Sequence, residues 1–258
     1  MKSLKYTVQE SLRIGINDDP YMHPKNREEF WEILGEKLEE NTDTLDLTDI
    51  DVSNITDMSD MLSFYASSDK FRQVRLKENI KCIDVTDWDV SNCESFESMF
   101  ASCTNLEQIK GIENWDMRSA QDCGWMFSCC RNLKSLDLSK WNLKGVVDVQ
   151  YMFEKCEKLE TVGDLSTWVN VSFKDLECMF YSCLSLQNIG DISDWDVSHS
   201  NSFEKTFYYC PKLNNIGDIE KWKHKIPDNV INSYRVRQMF YKNNQKIVPD
   251  WWKYAIID

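Results

Sequence analysis

Glycine and proline are scarce in this chain, at 8 and 5 of 258 residues. Collagen-like, linker-like and glycine-rich phosphate-cradling chains need many more breakers, so those classes are excluded. Long apolar runs are also missing. No stretch of about 18 apolar residues is available to span a bilayer, and no apolar segment of about 7–15 residues follows the early lysines to act as a secretory leader. The expected location is therefore cytoplasmic, or the cell surface if a leader has been removed. Positive charge is short as well: 30 Lys and Arg against 43 Asp and Glu leave a net charge of −13. A duplex would be repelled by such a surface, which argues against nucleic acid as a partner. Histidine is limited to His23, His199 and His224, outside any recurring cluster. The motifs G-x-G-x-x-G, G-x-x-x-x-G-K-[ST], G-x-S-x-G and C-x-x-C do not occur.

What is present is a repeat. The chain holds 10 Cys and 10 Trp in a composition that is 42% hydrophobic and 28% charged, normal for a globular protein. Trp88, Trp115, Trp141, Trp168, Trp195 and Trp222 succeed one another at steps of 27, 26, 27, 27 and 27 residues. Behind the first five follow Phe100, Phe127, Phe153, Phe180 and Phe207, then Cys103, Cys130, Cys156, Cys183 and Cys210, then Leu106, Leu133, Leu159, Leu186 and Leu213. Four of the phenylalanines come directly after Met, and Phe207 after Thr206. A degenerate copy precedes the array, with Ile50 in the Trp column and Leu62 in the Phe column, and residues 66–81 read as an insertion. Another copy ends it, with Met239-Phe240 lying 33 residues after Phe207.

Such a unit predicts a short strand (133–138, for example) and a short helical turn leading into Met-Phe. Neither closes a core alone, so units must stack. Burying each ring is worth at most about 4–6 kcal/mol, and neighbours share that contact. The expected fold class is an α/β repeat: a solenoid with short parallel strands and short helices in each coil, capped at both ends. The Asp and Asn flanking the tryptophans (Asp87 and Asp89, Asn114 and Asp116, Asp194 and Asp196) suit turn hydrogen bonds. Gly163-Asp164, Gly190-Asp191 and Gly217-Asp218 suit strand exits.

The pattern Trp88-Asp89-Val90-Ser91-Asn92-Cys93 running to Met99-Phe100-Ala101-Ser102-Cys103, taken up again at Trp195-Asp196-Val197-Ser198, resembles the BspA-like leucine-rich repeats of bacterial and mycoplasma surface proteins. The resemblance covers roughly residues 45–240. It implies a right-handed leucine-rich-repeat solenoid of about six to seven coils, with a parallel sheet and a role in adhesion or partner binding, and it brings no catalytic residues. The domain reading is an N-terminal helical cap over 1–44, the repeat over 45–240 and a C-terminal cap segment over 241–258. In the first cap a helix is expected over 27–40, opened by a capping box of Asn26 and Glu29. Residues 223–258 carry seven Lys and Arg against three Asp, a net +4 that leaves −17 for the rest.

Chemistry is weighed and set aside. The cysteines occupy a core column, where a small thiol packs well, and in a reducing compartment they stay unbridged. The Asp residues beside Trp are turn formers rather than calcium ligands, because Lys140-Trp141-Asn142 and Lys221-Trp222-Lys223 lose the acids. His199 and Cys210 share one repeat, but Cys210 merely fills the core column. No enzyme, cofactor or metal is expected. The expected partner is another protein, bound by a monomer or weak oligomer through a surface column. One candidate column flanks the strand: Gln108, Ser135, Thr161, Asn188 and Asn215. The other follows Phe and brings Tyr181, Tyr208 and Tyr241 into line, with Tyr209 adjacent; exposed Tyr often anchors interfaces, and packing between coils is the competing role. The alternatives are a surface adhesin and an acidic inhibitor, or immunity-type protein, that neutralises a basic partner.

Overall fold

The computed structural model describes residues 20–40, 42–64, 78–169, 171–236 and 238–254. Most of the insertion expected at 66–81, and both chain ends, lie outside those residues. Where the chain is described, the sequence period becomes a stack of coils joined by two separate hydrogen-bond ladders.

The first ladder is parallel β structure. Strands β1 (Thr44–Asp46), β2 (Cys82–Asp84) and β3 (Gln108–Lys110) pair in that order, with Leu45, Ile83 and Ile109 in register and buried. The ladder resumes as single bridges, Ser135 to Thr161, Thr161 to Asn188 and Asn188 to Asn215. The strand expected over 133–138 is therefore cut to one bridging residue. In the three coils that follow, glycine explains the shortening: Gly163, Gly190 and Gly217 stand two residues after the bridge with φ of 84°, 84° and 78°, outside the β region. A Cβ on Gly190 would also lie 2.0 Å from Asp164 Oδ1, so the neighbouring coil leaves no room for a side chain.

The second ladder replaces the helical turn expected before Met-Phe. Ser98, Trp125, Tyr151, Cys178, Lys205 and Gln238 have left-handed φ, as do Ser102, Cys129, Lys155, Ser182, Tyr209 and Lys242, all between 53° and 62°. The segment is a ribbon of successive tight turns: Met99 N–H donates to Phe96 O (3.1 Å) and Ala101 N–H to Ser98 O (2.9 Å). Alternate N–H groups are thereby freed to reach the next coil. Phe96, Ser98, Phe100 and Ser102 donate to the carbonyls of Asp122, Gly124, Met126 and Ser128 at 2.7–2.9 Å. A helix would have spent those donors internally. Each left-handed residue costs about 1–2 kcal/mol, offset by the ladder and by the rings it aligns.

Between the ladders lies the core. Phe100, Phe127, Phe153, Phe180, Phe207 and Phe240 stack coil on coil at 5.2–5.7 Å. Trp88, Trp115 and Trp141 stack at 6.1 and 6.3 Å, and Trp168, Trp195 and Trp222 at 6.0 and 6.3 Å. The indole N–H of Trp88, Trp141, Trp168, Trp195 and Trp222 donates to a carbonyl of the preceding coil, as in Trp195 to Leu165 O at 2.9 Å. The cysteine column does likewise: Cys130, Cys156 and Cys183 Sγ lie 3.1 Å from the carbonyls of Phe100, Phe127 and Phe153. All ten cysteines are free. Leu62 and Phe240 hold the Phe column in the first and last copies, since Leu62 N–H donates to Met99 O and Phe207 N–H to Met239 O.

Helix α1 (Arg27–Lys37) packs on the first coils through Phe30, which meets Trp88 edge-on at 5.7 Å, and Trp31, whose indole donates to Met61 O at 3.0 Å. It ends three residues before the expected Glu40. Asn26 Oδ1 accepts from Glu29 N–H as a capping box requires, but Glu29 accepts from Lys25 N–H, one residue before the cap. Near the other end, α2 (Asp228–Ile231) takes up part of the longer spacing before Phe240. In α3 (Asp250–Tyr254), Trp252 meets Phe240 edge-on and donates to Val236 O. Among the described residues no helix is long and apolar enough to cross a membrane.

Candidate interaction surface

Three surface columns run along the stack, each placed by one of the ladders. The first is the polar column beside the strands. Gln108, Ser135, Thr161, Asn188 and Asn215 are all exposed and all sit at pairing positions. Three of them are engaged at home: Thr161 Oγ1, Asn188 Oδ1 and Asn215 Oδ1 accept from the N–H of Gly163, Gly190 and Gly217 at 3.1, 2.9 and 3.2 Å. These side chains hold the strand exits. Beside them Lys134 pairs with Glu107 of the preceding coil.

The second column carries the tyrosines. Tyr181, Tyr208 and Tyr241 follow the Phe column by one residue and stack at 5.0 and 5.2 Å, with ring planes 18° and 25° apart. Their faces satisfy one another, so coil-to-coil packing is part of their role. Their edges remain outside: Tyr181 and Tyr208 are half-buried and Tyr241 is 46% exposed. Tyr209, held left-handed, points from the neighbouring position and is 41% exposed. Lys155 Nζ sits 5.8 Å from the Tyr181 ring, and Lys242 Nζ sits 5.5 Å from both Tyr209 and Tyr241. The four tyrosines are thus one patch with cations at both ends. The sequence reading missed a second aromatic pair, Trp125 stacked on Tyr151 at 5.1 Å. Both residues stand directly before Met-Phe, a regularity that could have been read. Tyr151 OH donates to Glu177 Oε1 at 2.5 Å, and burial together with that bond pushes the phenol well above its usual range.

The third column was not anticipated. Asp57, Ser95, Asp122, Asp148 and Asp175 bridge successive coils, each Asp accepting the N–H two residues on at 2.8–2.9 Å. Such bonds are ordinary turn chemistry, which hid the column in the sequence. At its start, burial would raise Asp57, but hydrogen bonds from Ser59 and the charge of Arg27 hold it low. Further along the balance reverses. Burial first, then the Asp122 charge, raises Asp148; burial, then Glu177 and Asp148, raises Asp175 to about 6 against the lowering effect of Glu177 N–H and Arg235. Glu97 is raised by burial and by the surrounding Asp122, Asp60, Asp148 and Asp57. An open groove of about 500 Å³ lies over Asp175, Glu177, Asn201, Ser202, Tyr234 and Arg235. Among the described residues no group of three or more His, Cys, Asp or Glu could hold a metal ion.

The raised Asp175 has a signed consequence. Its folded pKa lies above its unfolded one, so its contribution to stability is complete below about pH 4 and is lost as pH rises through about 6. Asp175→Asn keeps an acceptor for Glu177 N–H and removes the charge. The variant is expected to gain about 1–2 kcal/mol over the parent at pH 7 and nothing at pH 4. Urea unfolding at both values checks it; equal gains at both would show that the carboxylate is not strained.

The remaining sequence candidates are dispersed. Asp89, Asp116 and Asp196 accept the N–H of Ser91, Arg118 and Ser198, which makes them turn formers. His199 bonds Ser172 and Ser198 at the surface, whereas Cys210 is buried with its Sγ 2.9 Å from Phe180 O.

The family described as "Mycoplasma protein of unknown function, DUF285" matches residues 35–161, 68–189 and 161–251. No curated protein matches the chain. Leucine-rich-repeat proteins are among the similar solved structures. The crystal structure of a TLR13–ssRNA13 complex is 15% identical, with 74% of this chain and 26% of that chain covered and a TM-score of 0.32. The leucine-rich repeat protein of T. pallidum is 15% identical, with 78% of this chain and 85% of that chain covered and a TM-score of 0.30. The chain spans about a quarter of the TLR13 chain it matches.

Proposed function

The chain belongs to the family of Mycoplasma proteins of unknown function, DUF285, and from that premise we propose that it is a non-enzymatic scaffold, a BspA-like leucine-rich solenoid closed at both ends, that binds a partner protein through its tyrosine-bearing face. The observation that carries this reading is the patch of Tyr181, Tyr208, Tyr209 and Tyr241. The stack already buries its Phe and Trp columns, so folding does not demand aromatic edges outside. Rigid tyrosines beside lysines supply contact area and hydrogen bonds at low entropic cost, as interface anchors do. The strand-flanking column is less suited, because its side chains serve their own turns. Cysteine catalysis is disfavoured at Cys93 and Cys178, where burial raises the thiol to about 12 and no nucleophilic thiolate forms near neutral pH.

Tyr181→Ser combined with Tyr208→Ser is expected to abolish capture of the partner from native cells. Tyr209→Ser with Tyr241→Ser, at more exposed rings, is expected to weaken capture at least about tenfold. Circular dichroism of each variant should match the parent; unchanged capture by folded variants would dispose of the reading. The acidic column favours a second reading, neutralisation of a basic partner, and steep weakening of capture with added salt would select it. The chain is placed in the cytoplasm on this proposal, and fractionation finding it at the cell surface would turn the reading toward adhesion.

A further inference from the structure

The turn ribbon has a direction, and its last coil leaves that direction unfinished. Across the ribbon segment around each Phe, the alternate backbone donors point toward the C-terminal end: Phe203 N–H reaches Arg235 O at 2.8 Å, Phe207 N–H reaches Met239 O at 3.0 Å and Tyr209 N–H reaches Tyr241 O at 2.8 Å. Gln238 and Lys242 repeat the left-handed conformation of Lys205 and Tyr209, with φ of 58° and 60°. The N–H groups of Gln238, Phe240 and Lys242 therefore aim past the last coil in the same way, the outer two on exposed residues and the middle one on a residue only 1% exposed beside Trp252. Among the described residues none of the three has an acceptor. Asn243 adds a fourth donor, since its Oδ1 takes Cys210 N–H while its Nδ2 is buried without a partner.

The N-terminal edge shows how the protein treats the complementary problem. There the ribbon ends in carbonyls, and α1 covers them with donors, Arg27 on Ser59 O and Trp31 on Met61 O. At the C-terminal edge an acceptor is needed instead. The side chain of Trp252, which lies against Phe240, cannot supply one, because an indole N–H only donates. Charge points the same way. Lys155 and Lys205 are paired with Glu154 and Glu204 at 2.7 and 2.8 Å. Lys242, by contrast, has only the rings of Tyr209 and Tyr241 among the described residues, in a segment of net +4.

We propose that this edge, the N–H groups of Gln238, Phe240 and Lys242 beside the Lys242 ammonium, docks an acidic extended segment of the partner protein, whose alternate carbonyls form the next rung of the ribbon. The donors stand on alternate residues, so a row of carbonyls matches them where a single oxyanion would meet only part of the row. This rests on the protein-binding reading and adjoins its tyrosine patch at Tyr241.

The test uses the full chain. A fluorescein-labelled peptide of alternating Glu and Val is titrated against it by anisotropy, with a Lys–Val counterpart and inorganic phosphate as comparators. Ligation at Cys210 allows the amide N–H of Phe240 or Lys242 to be replaced by an ester oxygen without touching a side chain. The Glu–Val peptide is expected to bind saturably and the Lys–Val peptide not to bind. Each ester should weaken binding about fivefold, and Lys242→Glu should abolish it. Hydrogen exchange at Gln238, Phe240 and Lys242 in the unaltered chain should be fast when free and slowed when the peptide is bound. Failure of the peptide to bind, insensitivity to the esters, or protection by phosphate alone would overturn the proposal. So would protection in the free chain equal to that of Phe207 and Tyr209, since the row would then already be filled. If the tyrosine variants still lose the native partner while the esters change nothing, only the edge is refuted.

Discussion

Phe153→Ala is expected to destabilise the protein by about 3–5 kcal/mol, at the upper end for a buried aromatic truncation. The ring is fully buried, with Phe127 at 5.6 Å on one face and Phe180 at 5.2 Å on the other. Both neighbours are held by backbone as well as by packing. Phe127 N–H donates to Met152 O and Phe153 N–H to Met179 O, each at 2.9 Å. The coils therefore cannot slide together to fill the void, and the cost of a cavity depends on how far its walls relax. At about 2–4 °C per kcal/mol for a chain of this size, the melting midpoint should fall by roughly 6–20 °C. Leu62→Ala, in the same column at the N-terminal end, should cost less, since fewer and smaller walls surround it. Paired urea titrations followed by circular dichroism check both. A loss at Phe153 under about 1 kcal/mol would mean that the ring ladder is not what joins the coils.

The same ladder explains which parts of the fold were legible in the sequence. Columns are legible because stacking forces each coil to put the same residue type in the same place; Trp, Phe and Cys at one period already imply rings on rings. Strand exits were legible at Gly163, Gly190 and Gly217, because only glycine takes their φ readily. The ribbon was not. A short 3-10 turn and a chain of tight turns share the bond from residue i to i−3, and nothing in Ser98, Trp125 or Tyr151 announces a left-handed conformation that bulky residues rarely adopt. Missing the ribbon hid two surfaces at once. Trp125 and Tyr151 stand outside the Trp and Phe columns of the repeat, and their shared left-handed conformation is what places them in one column. The carboxylates from Asp57 to Asp175 lie outside the acids that flank the tryptophans, and only the ladder sets them one above another. The unfinished donor edge at Gln238, Phe240 and Lys242 has no sequence signature, since it arises from the direction of the hydrogen bonds.

Deleting residues 154–180 is expected to leave a folded protein, whereas deleting residues 154–166 is expected to abolish the fold. The first cut removes one 27-residue period and joins Phe153 to Tyr181 in register, so Phe153 is followed by Ser182 and Cys183 at the spacing the five full copies use. Phe127, Phe153 and Phe207 then become consecutive rungs, and Asp148 is carried toward Ser202 in the bridging column. One interface is lost and every other is kept, which in a nearest-neighbour stack lowers stability without destroying cooperativity. The half-period cut joins Phe153 to Thr167 and sets Trp168 two residues after the phenylalanine. Every column beyond the junction is then rotated against its neighbours, facing core rings with turn residues and carbonyls with carbonyls. Buried backbone groups left without partners cost about 1–3 kcal/mol each, and a whole ribbon of them exceeds any reserve of stability. Far-UV and near-UV circular dichroism with thermal melts separates the cases. The longer deletion should show a cooperative transition at a lower midpoint and the shorter none. If both deletions melt cooperatively the coils do not depend on register, and if neither does the stack is one indivisible unit rather than a sum of coils.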